Sequence, residues 1–179
     1  MGSSPIVSTQ GRGRASPIPQ GFRAYIACAT DRAGVPMSLT TLDQAIEASR
    51  QALAAIINGD VEPFMALYSD ADDITIGNPF GPFAVGRDAT RAAGSRAAGN
   101  YRDGQLVGFD RIATHTTDDL ACVVEVERFT VRLGNAPEPA SVALRVTSLY
   151  RREPDGWRLA HRHADPITTI QAAESVARP

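Results

Sequence analysis

The sequence predicts an α+β domain, on three observations. Apolar residues recur at three- and four-residue spacing only between Thr40 and Gly99, and alternating stretches rich in Val, Thr and aromatics fill the chain from Tyr101 to Asp165. Gly, Pro, Asp and Asn punctuate the joins. Helices first and strands afterwards is an α+β order. With 179 residues, 43% of them hydrophobic, and a net charge of -2, the chain has the size of one domain with a buried core.

The first helix starts at Thr40 or Thr41, either of which can cap it, and its apolar face is Leu42, Ala45, Ile46, Leu53, Ile56 and Ile57. Asn58-Gly59 ends it. A short second helix follows with Asp60 at its N-cap and Pro63 in its first turn. Asp73 to Ile76 reads as a strand running into the loop "GNPFGPF". A third helix is capped by Asp88 and closed by Gly99-Asn100. Four strands follow in antiparallel succession: "GQLVGFDRIATHT", "DLACVVEVERFTVRL", "ASVALRVTSLYRRE" and "GWRLAHRHAD". The folded domain is expected over residues 37–168. Residues 1–36, rich in Gly, Pro, Ser and Arg and without periodicity, read as a disordered or wrongly assigned leader ahead of a better start at Met37. Residues 169–179 read as a polar C-terminal tail.

Composition excludes several classes. No apolar run approaches the ~20 residues that cross a bilayer, so no membrane partner is expected. No basic patch with interleaved aromatics marks a nucleic-acid binder. Cys28 and Cys122 lie far apart and form no CxxC pair, which argues against a disulfide framework or a cysteine-held zinc and fits the cytoplasm.

The last strand carries two of the three histidines and the single tryptophan. By alternation Trp157, Leu159, His161, His163 and Asp165 share one face, and the face with Trp and Leu is the buried one. Three readings of the histidines stay open: paired polar residues in a half-polar core wall, proton movers lining a ligand cavity, or a metal site with Asp165. The third lacks a firm additional ligand, so no metal is assigned. On the second long strand Glu125 and Glu127 share a face with Val123, Phe129 and Val131, about 7 Å apart. A carboxylate in an apolar wall binds its proton more tightly and can act as a general base. Alternatively Arg145 or Arg111 pairs with one of them across the sheet.

The element order, "NGD" after the first helix, "NPFGP" after the first strand, the hairpin "VALRVTSLYRREPDGW" and the ending "HRHADPITT" together resemble the nuclear transport factor 2-like superfamily. The resemblance is to its small bacterial SnoaL-like or ketosteroid-isomerase-like members, over about Met37 to Thr169. It implies a cone-shaped α+β roll, a curved antiparallel sheet wrapped around the N-terminal helices, with an apolar pocket in its mouth and dimerisation through the convex face. It puts the family's catalytic aspartate at Asn78, its oxyanion tyrosine at Ala52 and its second acid near Thr147 or Ser148. An amide has no usable proton-transfer pKa and alanine donates no hydrogen bond, so steroid isomerisation is not expected.

Two functions remain. One is an enzyme working without a cofactor on a small apolar carbonyl compound or epoxide, by proton transfer, lyase or hydrolase chemistry, with His161, His163 and Glu127 as catalytic candidates. The other is a non-catalytic ligand-binding or dimerisation module. Asn78, Phe80, Phe83 and Tyr101 are expected at the mouth, and Glu125, Arg145, Trp157 and Asp165 complete the ligand-binding set. The expected partners are a small apolar molecule and a second copy of the chain, whose interface would use the apolar row Cys122, Val124 and Val126.

Overall fold

A computed structural model describes residues 39–177; the expected leader over residues 1–36 lies outside them. Helix α1 spans Leu42–Ile56 and starts with a capping box: the Gln44 N–H donates to Thr41 Oγ1 at 3.2 Å, and the Thr41 N–H donates to Gln44 Oε1 at 3.1 Å. Helix α2, Glu62–Met65, has Val61 at its N-cap, one residue later than expected, although the Asp60 carboxylate still accepts the Glu62 N–H at 2.9 Å. Helix α3, Arg87–Ala98, starts from Gly86 at φ +83°, so Asp88 lies inside the first turn and meets the helix dipole instead of capping it. Residues 169–177 are exposed where their side chains are described, and include one 3₁₀ turn at Ala173–Val176. Among the described residues no helix is long and apolar enough to cross a membrane.

Six strands form one curved, unclosed sheet: β1 Thr75–Gly77, β2 Ala84–Val85, β3 Tyr101–Thr116, β4 Leu120–Leu133, β5 Ala140–Glu153 and β6 Gly156–Asp165, in the order β2-β1-β6-β5-β4-β3. The last four make the expected antiparallel meander. The short β1 adds a parallel pairing to β6, and β2 pairs antiparallel with β1. Strand β3 breaks register with β4 at three points along its length.

Strand β4 alternates strictly. Ala121, Val123, Glu125, Glu127, Phe129 and Val131 are buried on the inner face, towards α1, and Cys122, Val124 and Val126 are half-buried on the outer one. Strand β6 does not alternate. Tyr150 lies opposite Leu159 but Leu149 lies opposite His161, so Ala160 is an extra residue, a β-bulge. Before the bulge Trp157 and Leu159 enter the core; after it Arg162 and Ala164 do. His161 and His163 are therefore on the outer face, contrary to expectation, and Asp165 with them. The physical reason is a change of neighbour. Leu159 bonds to the segment after α2, its N–H donating to the Leu67 carbonyl and its carbonyl accepting the Ser69 N–H, whereas His161 onward pairs with β1.

At the start of β6, Gly156 has φ +130°, and a Cβ there would stand 2.6 Å from the Leu39 carbonyl oxygen. Trp157 donates its N–H to that same oxygen at 2.8 Å. Gly156→Ala is expected to cost on the order of 1–3 kcal/mol, because both the backbone angle and the close approach forbid a side chain. Urea unfolding with an unchanged slope and a lower midpoint is the expected outcome.

Candidate functional site

The inner face carries a polar belt between two apolar clusters. Ala121, Val123, Tyr150, Trp157 and Leu159 belong to the first cluster; Phe129, Val131, Leu144, Val146 and Ala164 belong to the second. Between them along the strands lie Glu125 and Glu127 of β4, Ser148 of β5 and Arg162 of β6, all buried. Arg162 donates from Nη2 to Glu127 Oε2 at 2.6 Å, and the two residues are only 7% and 6% exposed. The guanidinium also lies over the Phe64 ring, 5.5 Å from its centroid. Glu125 accepts from two cations, Arg50 Nη2 at 2.8 Å from α1 and Arg111 Nε at 3.2 Å from β3. Arg50 in turn lies 4.8 Å over the Phe109 ring.

Burial dominates the proton affinities here. It raises that of Glu127, an effect which Arg162 opposes and Glu125 reinforces. Burial likewise pushes the Tyr101 and Tyr150 phenols up to about 12, and Tyr68 further still. The Tyr150 hydroxyl donates to Ser49 Oγ at 2.9 Å. The Tyr68 hydroxyl is buried without a hydrogen-bond partner among the described residues.

Arg162 lines a small, partly open cavity of about 30 Å³, room for little more than a water molecule. Its walls include Phe64, Asn78, Tyr101, Phe129 and Leu144, and among the described residues Arg162 is the one charged side chain lining it. Outside lies an open groove of about 470 Å³ lined by Phe80, Leu133, Val142 and Pro166 among others. Pro79, Tyr101 and Leu144 line both, so they form the partition between groove and cavity. The Phe80 ring packs edge-on against Tyr101, centroids 5.4 Å apart. Asn78 shapes the turn: its Oδ1 accepts the Phe80 N–H at 3.0 Å, and its Nδ2 donates to the Ala93 carbonyl at 3.3 Å.

The residues singled out in the sequence thus divide. Glu125, Glu127, Asn78, Phe80 and Tyr101 surround the inner belt and the mouth. Trp157 is buried in the first cluster and lines neither cavity nor groove. Phe83 is 60% exposed and belongs to the outer face, where it packs on His161 and His163, centroids 6.2 and 5.2 Å away. It is there because β2 folds back beside β1, carrying the ring over Gly77, where a Cβ would collide with it. His161 Nδ1 and Thr75 Oγ1 share a 2.7 Å hydrogen bond. Arg145 does not reach either glutamate; alternation turns it outward to a bidentate pair with Asp165, the shortest contacts 2.9 Å. Arg111 is the cross-strand partner, on Glu125. Sequence reasoning missed Arg162 and Arg50. A signal for a hidden arginine did exist: two inward carboxylates on β4 need cations, and Arg145 has the wrong parity on β5 to supply one.

The family model for the SnoaL-like domain matches residues 46–168. The chain belongs to this family. Solved structures similar to this SnoaL-like domain include a nuclear transport factor 2-like superfamily protein from Salmonella enterica, with 18% identity over 73% of this chain and 92% of that one and a TM-score of 0.60. A ketosteroid isomerase-like protein from Erwinia carotovora atroseptica is 20% identical over 75% of this chain and all of its own, with a TM-score of 0.59. A proposed calcium/calmodulin-dependent protein kinase type II association domain from Thiobacillus denitrificans is 24% identical over 74% of this chain and 98% of that one, also at 0.59. At these identities the likeness is one of fold. No functionally curated protein matches the chain.

Two outcomes follow from the belt and from the outer histidines. Glu127→Leu alone leaves Arg162 buried without its carboxylate and should lower stability by about 3–5 kcal/mol, whereas Glu127→Leu combined with Arg162→Met should recover most of the loss. A double-mutant cycle by urea unfolding measures this coupling. On the outer face, burial, helped by His163, lowers the His161 pKa from 6.5. The unfolded chain then binds more protons than the native one between that lowered value and 6.5, so this group adds stability as pH rises through the window. His161→Gln should flatten the rise in melting temperature as pH increases towards 6.5 from below.

Proposed function

We propose that this SnoaL-like domain binds a small, mostly apolar molecule with one oxygen head group, its apolar body in the groove and its head directed at Arg162. The observation that carries this reading is the shared wall. A groove of ligand size leads, across Pro79, Tyr101 and Leu144, to a cavity whose one charged lining group is a hydrogen-bond donor. The protein's contribution is to hold that donor dry and aimed, with Glu127 keeping it in place when no ligand is present.

Glu127 favours a second reading, cofactor-free proton transfer on a carbonyl compound or epoxide. It takes the role expected of His161 and His163, which the bulge at Ala160 turns away from the cavity. Supporting it are a carboxylate with raised proton affinity and, hydrogen-bonded to it, a guanidinium that lines the cavity and can hold a developing oxyanion; the step requires Glu127 to move past Arg162 to reach the substrate proton. A homodimer is part of the proposal, supported by Cys122, Val124 and Val126, a half-buried apolar row on the face opposite α1. A cytosolic location fits the two cysteines and their unrelated contexts.

Native mass spectrometry of the protein purified without added ligand checks binding and assembly together. The expected species is a dimer carrying a small molecule that denaturation releases. Leu144→Trp, which fills the partition, should abolish the adduct and leave the dimer. Bare wild-type chains would remove the binding proposal, and a monomer at micromolar concentration would remove the dimer.

A further inference from the structure

We propose that the head group is a carboxylate, and that it replaces Glu127 as the partner of Arg162 while Glu127 takes up one proton from solvent. This rests on the reading above, that groove and cavity bind a small apolar molecule.

Three guanidiniums, Arg50, Arg111 and Arg162, pair with two buried carboxylates, Glu125 and Glu127, but Arg50 and Arg111 reach Glu125 from side chains that are 25% and 33% exposed, and Arg162 alone is as buried as the carboxylates. Arg162 lines the cavity, whereas Glu127 stands behind it and does not. An entering head group therefore meets a cation first. A guanidinium presents its donors in a planar fork that matches two carboxylate oxygens better than one carbonyl oxygen.

An incoming carboxylate at Arg162 is close to Glu127, and two carboxylates in one dry site cannot both stay ionised. Every charged or titratable group around Glu127 bears on which one takes the proton. Arg162 from β6, Arg50 from α1 and Arg111 from β3 stay cationic at any accessible pH. Tyr68 after α2, Tyr101 on β3 and Tyr150 on β5 are phenols held neutral by burial. Glu125, next along the inner face of β4, is already bound by two guanidiniums and adds negative charge beside Glu127. Glu127 has one cationic partner, loses it to the ligand, and is left buried between apolar clusters and another carboxylate. It is the group that protonates, and the proton comes from bulk water with no covalent change.

Isothermal titration calorimetry with matched pairs tests this: benzoate and benzamide, 3-phenylpropanoate and its amide, decanoate and decanamide, each at pH 7 in phosphate and in Tris. The carboxylates should bind at least about tenfold more tightly than their amides. Comparing buffers of different ionisation enthalpy should show uptake of about one proton per carboxylate and none per amide, with carboxylate affinity rising towards tenfold per unit fall in pH. In Glu127→Gln the proton uptake should vanish and carboxylate binding at pH 7 should tighten. Amides binding as well as carboxylates would overturn this inference and leave the binding function standing. Carboxylate binding to the wild type without proton uptake would do the same. If no member of either series binds, the proposed function falls with it. Should Glu127→Gln fail to fold, the wild-type proton count alone decides.

Discussion

The hydrogen-bonded ion pair between Arg162 and Glu127 is the interaction around which the interior is arranged. Two apolar clusters would otherwise merge into one continuous core down the inner face of the sheet; the pair, with Glu125 and its arginines, keeps them apart. Such a pair is a poor source of stability, since the desolvation of two charges consumes most of their attraction. An apolar pair of similar volume would hold the sheet to the helices at least as well. What the pair adds is a buried cation in the wall of the cavity, and that is a chemical property more than a structural one.

The pair exists because of one inserted residue. Strand β6 begins against the segment that leaves α2 and ends against β1, and Ala160 takes up the change of neighbour. Shifting a strand by one residue exchanges its faces. The bulge does so half-way along a ten-residue strand, so the apolar half before it and the charged half after it use opposite parities. Without it, the strand would bring two histidines to the core and leave Glu127 without its hydrogen-bonded cation.

The helices and the long meander were legible because their signals are local. Thr41 and Gln44 make the cap of α1 with each other, and the alternation of β4 from Ala121 to Val131 names its buried face without reference to any other strand. The belt carboxylates were legible for the same reason. The bulge was not, because alanine is small enough for either face and nothing within "RLAHRH" marks the insertion; pairing with β5 and β1 decides it. Phe83 was misplaced on similar grounds. Its position depends on β2, two residues long, which carries no periodicity to read. Asn78 and Phe80, in the same loop, were legible because an Asn-Pro turn is a local structure.

The three register breaks of β3 have a bearing on how this chain meets others. β3 is the longest strand and an open edge of the sheet, a row of backbone groups that a neighbouring chain could extend by adding a strand. Each break puts successive N–H and C=O groups out of step with a straight partner, and Arg102, Asp103, Asp110 and Arg111 line the edge with charge of both signs. A flat, continuous ladder cannot form there. Strand addition at the rim is thereby disfavoured along all sixteen residues of this edge strand, and with it the template that fibrous growth needs.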